Sequence, residues 1–371
     1  MSLGSPEVLI AVTATLAATA CALAGVFLVL RRLAMLADAI SHAVLPGIVA
    51  GYFLARGPNL LAGFFGAAAA GLLTVVLVET LTKSRRVKED SAIGIVFPAL
   101  FALGVFVISR FFSNVHLDAD AVLYGDLTFV PFETLQWGGR DIGPQALWTL
   151  AALTLLNALF LRVFYKELKL STFDPGLAAA LGFAPAALHY GLMSLVAVTT
   201  VGALSAVGAI LVVALLVVPP VTASLLTRRL PALIAVSLAV GVLGAVGGYA
   251  LSVVWDVSPS GMIASLLGVL FGLTLLFAPQ QGMVAQMIRR RRQRQQFAAE
   301  TLVVHLATHE GTAAQASESE RDHLEKELRW KPSRAGSAVA RAQNEGWLTE
   351  ENGVLTLTNI GRETAGEVAT R

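Results

Sequence analysis

An aspartate and a histidine four residues apart lie inside a long apolar segment. They are Asp38 and His42, in the run DAISHAVLPG of residues 38–47. Residues at this spacing share one face of an α-helix, and ionisable groups at membrane depth are costly to bury. A carboxylate and a neutral imidazole can replace part of the water shell of a metal ion. We interpret the pair as a transient site on a cation path; the alternative is a structural hydrogen-bonded pair.

Pro46 follows this pair in the same apolar segment. A proline has no N–H to bond the carbonyl four residues back, which here belongs to His42. The sequence therefore predicts a kink that leaves a polar backbone atom beside the imidazole.

The elements that position these residues are membrane helices. The chain has 371 residues, of which 56% are hydrophobic and 14% charged, and its mean hydropathy is +0.70. These values exclude an ordinary soluble protein. The single Cys21 excludes disulfides and thiolate metal sites. Apolar segments of spanning length fall at residues 6–30, 33–55, 58–82, 91–112, 144–165, 186–205, 206–227, 229–254 and 258–280.

The basic loops predict the orientation. Nine spans place every Lys/Arg cluster on one side if the N-terminus lies outside and the C-terminus in the cytoplasm. The 186–227 run is ambiguous: two short spans could turn near Gly202 to Gly208, or one span could precede a re-entrant piece. Further breaks are expected at Pro98 and at Pro219-Pro220.

Residues 113–143 would then form an outside loop rich in carboxylates. Such a loop could concentrate cations above a pore, or its carboxylates could simply keep it solvated. Asp118 and His116 are the candidates here for further metal ligands, and Asp118 is the first choice for a third ligand.

Charge divides the chain into three parts. Residues 1–288 hold 14 Lys+Arg and 13 Asp+Glu, and five arginines follow within residues 289–294. The remaining residues hold 8 Lys+Arg against 12 Asp+Glu. The predicted domains are a membrane part (1–288), a basic linker that contacts anionic lipid (289–296) and a soluble part (297–371).

The soluble part predicts three helices, a hairpin and a closing helix. Predicted helices cover 297–308, 320–329 and 332–344, and Asn352-Gly353 marks the hairpin turn. This order resembles a winged helix-turn-helix domain. Because the part is acidic and its candidate recognition helix carries only Arg334 and Arg341, DNA binding is disfavoured against a regulatory or dimerising role.

His305 and His309 share a predicted helix face in this part, with Glu310 next and His323 further along. They could form a speculative cytoplasmic metal-sensing site, although solvated surface histidines are commoner.

Within the membrane part, a polar stretch at residues 166–185 predicts a short helix at the inner surface. Asp174 and Pro175 match a helix start, and Leu181-Gly182 matches its end.

Four motifs resemble one known family. They are LRR…DAISHAVLPG, Asp118 followed by Leu-Tyr-Gly, FDPGLAAALG at 173–182, and the run from Val207 to Leu226. Together they are similar to the membrane permease subunit of ATP-binding-cassette importers for zinc, manganese or iron. The resemblance covers about residues 8–280.

The resemblance implies a homodimer of permease chains in a bacterial cytoplasmic membrane, two ATPase subunits and an extracytoplasmic metal-binding protein. It also implies that Asp38 and His42 match the positions tied to metal passage. The segment that would dock on the ATPase contains Phe173, Asp174, Pro175, Leu177, Leu181 and Gly182.

The expected fold is therefore an all-α polytopic membrane protein of about nine transmembrane helices, some broken, plus a small cytoplasmic α+β winged helix-turn-helix domain. The expected function is import of a divalent metal ion, Mn²⁺ before Zn²⁺ or Fe²⁺, with no permanent cofactor. The chain lacks a phosphate-binding GxxxxGK[ST] loop, so ATP hydrolysis is assigned to a partner and the chain itself is not an enzyme. The alternatives are a permease for a metal chelate (siderophore or cobalamin type) and a membrane-tethered winged-helix transcription regulator.

Overall fold

A computed structural model describes residues 5–55, 59–111, 127–137, 140–320, 323–324, 330–351 and 353–370. The chain forms two compact units, Met1–Ala278 and Pro279–Arg371. The predicted boundary at residue 288 therefore differs by about ten residues from the one that the packing gives.

The first unit is mostly helical. Its helices are α1 (Pro6–Leu30), α2 (Ala34–Ala43), α3 (Leu45–Leu54), α4 (Leu60–Lys83), α5 (Glu89–Phe111), α6 (Gln145–Val163), α7 (Tyr165–Phe173), α8 (Pro175–Ala180), α9 (Pro185–Leu226), α10 (Leu230–Trp255) and α11 (Pro259–Phe277). Before α6, a short 3₁₀ turn (Val130–Phe132) leads into a hairpin of two antiparallel strands, β1 (Thr134–Trp137) and β2 (Arg140–Pro144).

Eight helical segments in the described part of the chain are long and apolar enough to cross a membrane. The sequence predicted nine, and the difference lies in α9. The predicted segments 186–205 and 206–227 are both parts of this 42-residue element, which is broken by a non-helical residue at Gly208. Pro98 and Pro219-Pro220 lie inside continuous helices, so the breaks expected there were wrong.

The chain reverses direction within α9. Its residue His189 contacts Arg31. Ten residues later, Thr199 lies beside Ala20 of α1, as the hydrogen bonds from Asn157 to both residues show. Leu216 then lies back beside Gly25 of α1. A straight helix would place residue 216 about 25 Å beyond residue 199. Gly208 makes the reversal possible, since its φ of 79° and ψ of 163° suit a residue without a Cβ.

The core of the first unit is built around α1. This helix is buried along most of its length and packs against α6, α9 and α10. At Gly25 a Cβ would overlap the carbonyl of Leu216, so glycine permits the close approach of α1 and α9. Asn157 of α6 is fully buried, and its amide donates to the Ala20 carbonyl and to Thr199 Oγ1, both at 3.0 Å. Small residues and this hydrogen-bonded amide therefore fix the central helices.

The second unit begins with a long helix. Its elements are α12 (Met283–His309), α13 (Gln315–Glu318), α14 (Pro332–Asn344), β3 (Leu348–Glu351), β4 (Val354–Leu357) and α15 (Asn359–Ala369). The residues 289–296 that were predicted as a linker are helical and continuous with the predicted helix 297–308. The predicted second helix (320–329) falls largely outside the described residues, as does Asn352.

The predicted third helix and the predicted hairpin of the second unit agree with the structure. The helix at 332–344 has the predicted bounds, and β3 and β4 pair as an antiparallel hairpin with Gly353 at a φ of 82°. Thr358 caps the last helix by accepting a 3.1 Å hydrogen bond from Gly361 N. A core between α12, α14, the hairpin and α15 includes Leu302, Val339 and Leu355.

Candidate functional site

The helix that carries Asp38 is interrupted close to the predicted position. Helix α2 ends at Ala43 and α3 begins at Leu45, with Val44 between them. The N–H groups of Gly47 and Ile48 both donate to the Val44 carbonyl, at 3.0 and 3.1 Å. The break lies two residues before Pro46, because a proline is accommodated in the first turn of a helix.

Asp38 and His42 lie next to each other in the last turns of α2. The distance from His42 Nε2 to Asp38 Oδ1 is 3.6 Å. The His42 ring also lies 5.3 Å from the ring of Phe97 in α5, measured between centroids. The short distance confirms that the pair shares a helix face. A cation could therefore reach an imidazole nitrogen and a carboxylate oxygen at one place.

This pair faces away from the core of the chain. The side chain of Asp38 is 47% exposed and that of His42 33% exposed, and Met35 on the same face is 58% exposed. The opposite face of α2 is buried through Ala37 and Ile40. The described residues of α2 thus supply two ligand atoms on an open face. The other coordination positions of a bound ion would be open to water or to a partner.

The two predicted outer ligands, His116 and Asp118, lie outside the described residues. The described end of the same loop carries Glu133 and Asp141. Asp141 Oδ1 accepts a 2.9 Å hydrogen bond from Gly143 N within the β2 strand, so this carboxylate has a local structural role.

The predicted short helix at 175–180 is confirmed as α8. Asp174 is its N-cap and accepts a 2.9 Å hydrogen bond from Leu177 N, as the sequence predicted. At the other end Gly182 has a φ of 85°, and Phe183 N donates to the Ala178 carbonyl at 3.1 Å. These are the bonds of a Schellman ending, so α8 is fixed by caps at both ends.

Large apolar side chains surround this short helix without being buried. Phe173 is 62% exposed, Leu181 61% and Leu177 47%. Pro175 occupies the first turn. This capped helix therefore carries one exposed apolar side chain, Leu177, and is flanked by two more, Phe173 and Leu181.

A polar network joins this region to the spanning helices, and sequence reasoning missed it. Arg31 Nη2 donates to Ser171 Oγ at 2.9 Å, and its Nε donates to Thr172 Oγ1 at 3.1 Å. Both hydroxyls belong to α7, which precedes α8 directly. Arg31 Nη1 also lies 3.3 Å from Nδ1 of His189 in α9.

The network continues from His189 to Glu79 of α4. The distance from His189 Nε2 to Glu79 Oε1 is 2.5 Å. Tyr190 Oη and Lys83 Nζ both donate to Glu79 Oε2, at 2.5 and 2.8 Å. The available signal was that Glu79 and His189 are ionisable groups within apolar runs, the same criterion that drew attention to Asp38.

In the second unit, His305 and His309 lie together as predicted. Their ring centroids are 4.9 Å apart on the last turns of α12. Glu310, the next residue, instead pairs with Arg362, whose Nη2 lies 2.7 Å from Glu310 Oε1. This hydrogen bond lowers the pKa of Glu310 below its ordinary value.

Comparison with known proteins gives consistent matches. The chain is 41% identical to "Zinc transport system membrane protein TroD" of Treponema pallidum over 94% of this chain and 95% of that protein. It is 45% identical to "Manganese transport system membrane protein MntD" of Bacillus subtilis over 76% of this chain and 96% of that protein. The zinc-system match extends over most of the second unit, because it covers 348 residues.

A solved structure has a similar fold. It is "PsaBC from Streptococcus pneumoniae in complex with Fab", with a TM-score of 0.61 and 28% identity, covering 73% of this chain and 91% of that one. Residues 8–278 match the family described as "ABC 3 transport family". The chain therefore belongs to the ABC 3 transport family.

Proposed function

We propose that this chain is the membrane subunit of an ATP-binding-cassette importer that brings a divalent transition-metal ion into the cytoplasm. The observation that carries this function is the pair of Asp38 and His42, 3.6 Å apart on an open helix face at the break between α2 and α3. The zinc and manganese systems named among its relatives support the same class of cargo.

Two protein ligands with free positions suit passage of the ion. A closed site with four ligands would hold the ion tightly, whereas a carboxylate and one neutral imidazole would exchange it. Oxygen and nitrogen ligands without sulfur favour Mn²⁺ first, with Zn²⁺ and Fe²⁺ as the other candidates. Phe97 packs against the His42 ring and limits its movement, so the imidazole nitrogen stays near Asp38.

The open face of Asp38 and His42 supports a pore between two copies of this chain. Ionisable groups at membrane depth face a cavity or another protein surface, because lipid cannot solvate them. Met35 and Phe101 also lie exposed on α2 and α5, at 58% and 41%. A second copy on this face would supply a second pair of ligands.

The exposed apolar side chains around α8 would dock on a separate ATPase subunit. Phe173, Leu177 and Leu181 form the contact, and the caps at Asp174 and Gly182 keep its shape. Arg31 holds the preceding helix α7 to His189, so a displacement of α8 would be transmitted to α9 and α4. ATP binding would in this way open and close the ion path.

We further propose that an extracytoplasmic binding protein delivers the ion to the outer ends of the spans. The chain would lie in the bacterial cytoplasmic membrane with its N-terminus outside. The second unit would then be cytoplasmic, with a winged-helix-like fold and a regulatory or dimerising role. Arg341, in its candidate recognition helix, pairs with Glu345 at 2.9 Å, which supports the expectation that DNA is not its ligand.

Cellular metal content tests this function. In cells that lack this chain, total Mn, Zn and Fe are measured before and after the gene is restored together with its ATPase. Restored accumulation of one of these ions supplied as the free salt is the expected result. Accumulation only when a chelate is supplied would favour the siderophore or cobalamin type of permease.

A further inference from the structure

A cluster of three histidines and one glutamate lies in the second unit, apart from the proposed ion path. His305 and His309 come from the end of α12 and Glu318 from α13, and His323 follows Glu318 by five residues. Ligand atoms of His305, His309 and Glu318 all lie within 4.8 Å of one another. His323 lies beside this group, since its Nε2 is 2.9 Å from Glu318 Oε2.

The facing atoms are shielded from solvent. Glu318 Oε2 lies between two imidazole nitrogens, 3.1 Å from His305 Nε2 and 2.9 Å from His323 Nε2. The three atoms are buried, and the close contacts that the structure gives them are these two ion pairs. A buried carboxylate oxygen beside imidazole nitrogens is a set of ligand atoms that a divalent ion can share.

The distances suit a small divalent ion. Ligand atoms about 2.0–2.1 Å from a tetrahedral zinc ion are separated from each other by roughly 3.3 Å. The two separations at Glu318 are 0.2–0.4 Å shorter than that edge and need only a small expansion. Burial lowers the pKa of His305 below its ordinary value.

The backbone holds the glutamate in place. Leu355 N, in β4, donates a 2.8 Å hydrogen bond to the carbonyl of Ser319, the residue after Glu318. His323 N donates to the Glu320 carbonyl at 3.0 Å. The segment that carries Glu318 is therefore held by β4.

We propose that His305, His309 and Glu318 form a binding site for a divalent transition-metal ion, Zn²⁺ by preference, with His323 beside Glu318. Two imidazole nitrogens and one carboxylate oxygen give a three-ligand set, one more than the pair on the ion path. Binding would tie the end of α12 to residues 310–324. The unit would then respond to the metal on its side of the membrane, and only this last step rests on the proposed transport function.

The test uses the full chain in detergent with Asp38→Ala and His42→Ala, which remove the ion-path ligands. Zn²⁺ binding is measured by titration calorimetry and by metal analysis after dialysis. One Zn²⁺ per chain is expected, and Glu318→Gln or His305→Gln should weaken its binding by about tenfold to a hundredfold or more. Glu367→Gln, an exposed carboxylate on α15, is the matched control and should leave binding unchanged.

Equal Zn²⁺ affinity in the Glu318→Gln, His305→Gln and parent chains would overturn the site. A second measurement avoids these variants in case they fold poorly. Hydrogen exchange of residues 310–324 in the parent chain should slow when Zn²⁺ is added, and unchanged exchange would contradict the proposal. Neither readout involves uptake, so a failure of the transport function would leave this result standing.

Discussion

His189 Nε2 lies 2.5 Å from Glu79 Oε1, and this contact joins α9 to α4 in the first unit. Arg31 contacts His189 and also donates to the hydroxyls of Ser171 and Thr172 in α7. The exposed helix α8 follows α7 after a single residue, Asp174. Side chains on α4, α9 and α7, together with Arg31 at the end of α1, therefore form a continuous polar connection between the proposed ATPase contact and the spanning helices.

Arg31→Lys tests whether this connection couples ATP hydrolysis to ion movement. A lysine carries the same charge, but its single ammonium cannot reach Ser171, Thr172 and His189 together. We expect the number of ions moved per ATP hydrolysed to fall by up to about tenfold, because at least one charge-assisted hydrogen bond is lost. The measurement is paired uptake and ATPase activity of the reconstituted complex.

The matched control is Arg32→Lys, since Arg32 is the neighbouring residue and its side chain is exposed. This variant should keep the ratio of ions to ATP. If both substitutions had the same effect, the contacts of Arg31 would not be the cause.

Leu181→Asp tests the docking surface at α8. Leu181 is 61% exposed in the single chain, and burying a leucine against a partner is worth about 1.5–3 kcal/mol. An aspartate there should weaken retention of the ATPase subunit by at least about tenfold in a pull-down assay. Phe297→Asp replaces an equally exposed apolar side chain in the second unit and should leave retention intact.

Gly208→Ala tests the reversal of α9. A Cβ at a φ of 79° and a ψ of 163° is strained, and we expect a loss of about 1–3 kcal/mol in stability. The measurement is the thermal unfolding temperature in detergent. Gly268→Ala is the control, because it lies in α11 with no neighbouring atom near the added Cβ. If the unfolding temperature fell as much in Gly268→Ala as in Gly208→Ala, the effect would not be local to the reversal.

The local features of this chain could be predicted from its sequence. The caps at Asp174 and Gly182 depend on hydrogen bonds within a few residues, and both were found where the sequence placed them. The same holds for the break near Pro46 and for the face shared by Asp38 and His42.

What could not be predicted depends on packing between distant segments. Glu79 and His189 meet only because α4 and α9 lie side by side. For α9 the sequence left two positions open, a turn near Gly202 to Gly208 and a break at Pro219-Pro220, and the break lies at Gly208. Prolines are tolerated in spanning helices, and which of 33 glycines adopts a positive φ is decided by tertiary contacts. Glu318 likewise reaches His305 only through the turns that follow α12.

Metal uptake into proteoliposomes tests the central claim most directly. The vesicles contain the complete complex with ATP, and radioactive Mn²⁺ and Zn²⁺ are supplied outside with the delivery protein. Asp38→Ala should reduce uptake by at least about tenfold while the ATPase subunit stays bound, because it removes one of two ligands. Leu159→Ala, at an exposed apolar residue of α6, should transport normally. Normal uptake by the Asp38→Ala complex would contradict the assignment of Asp38 and His42 to the ion path.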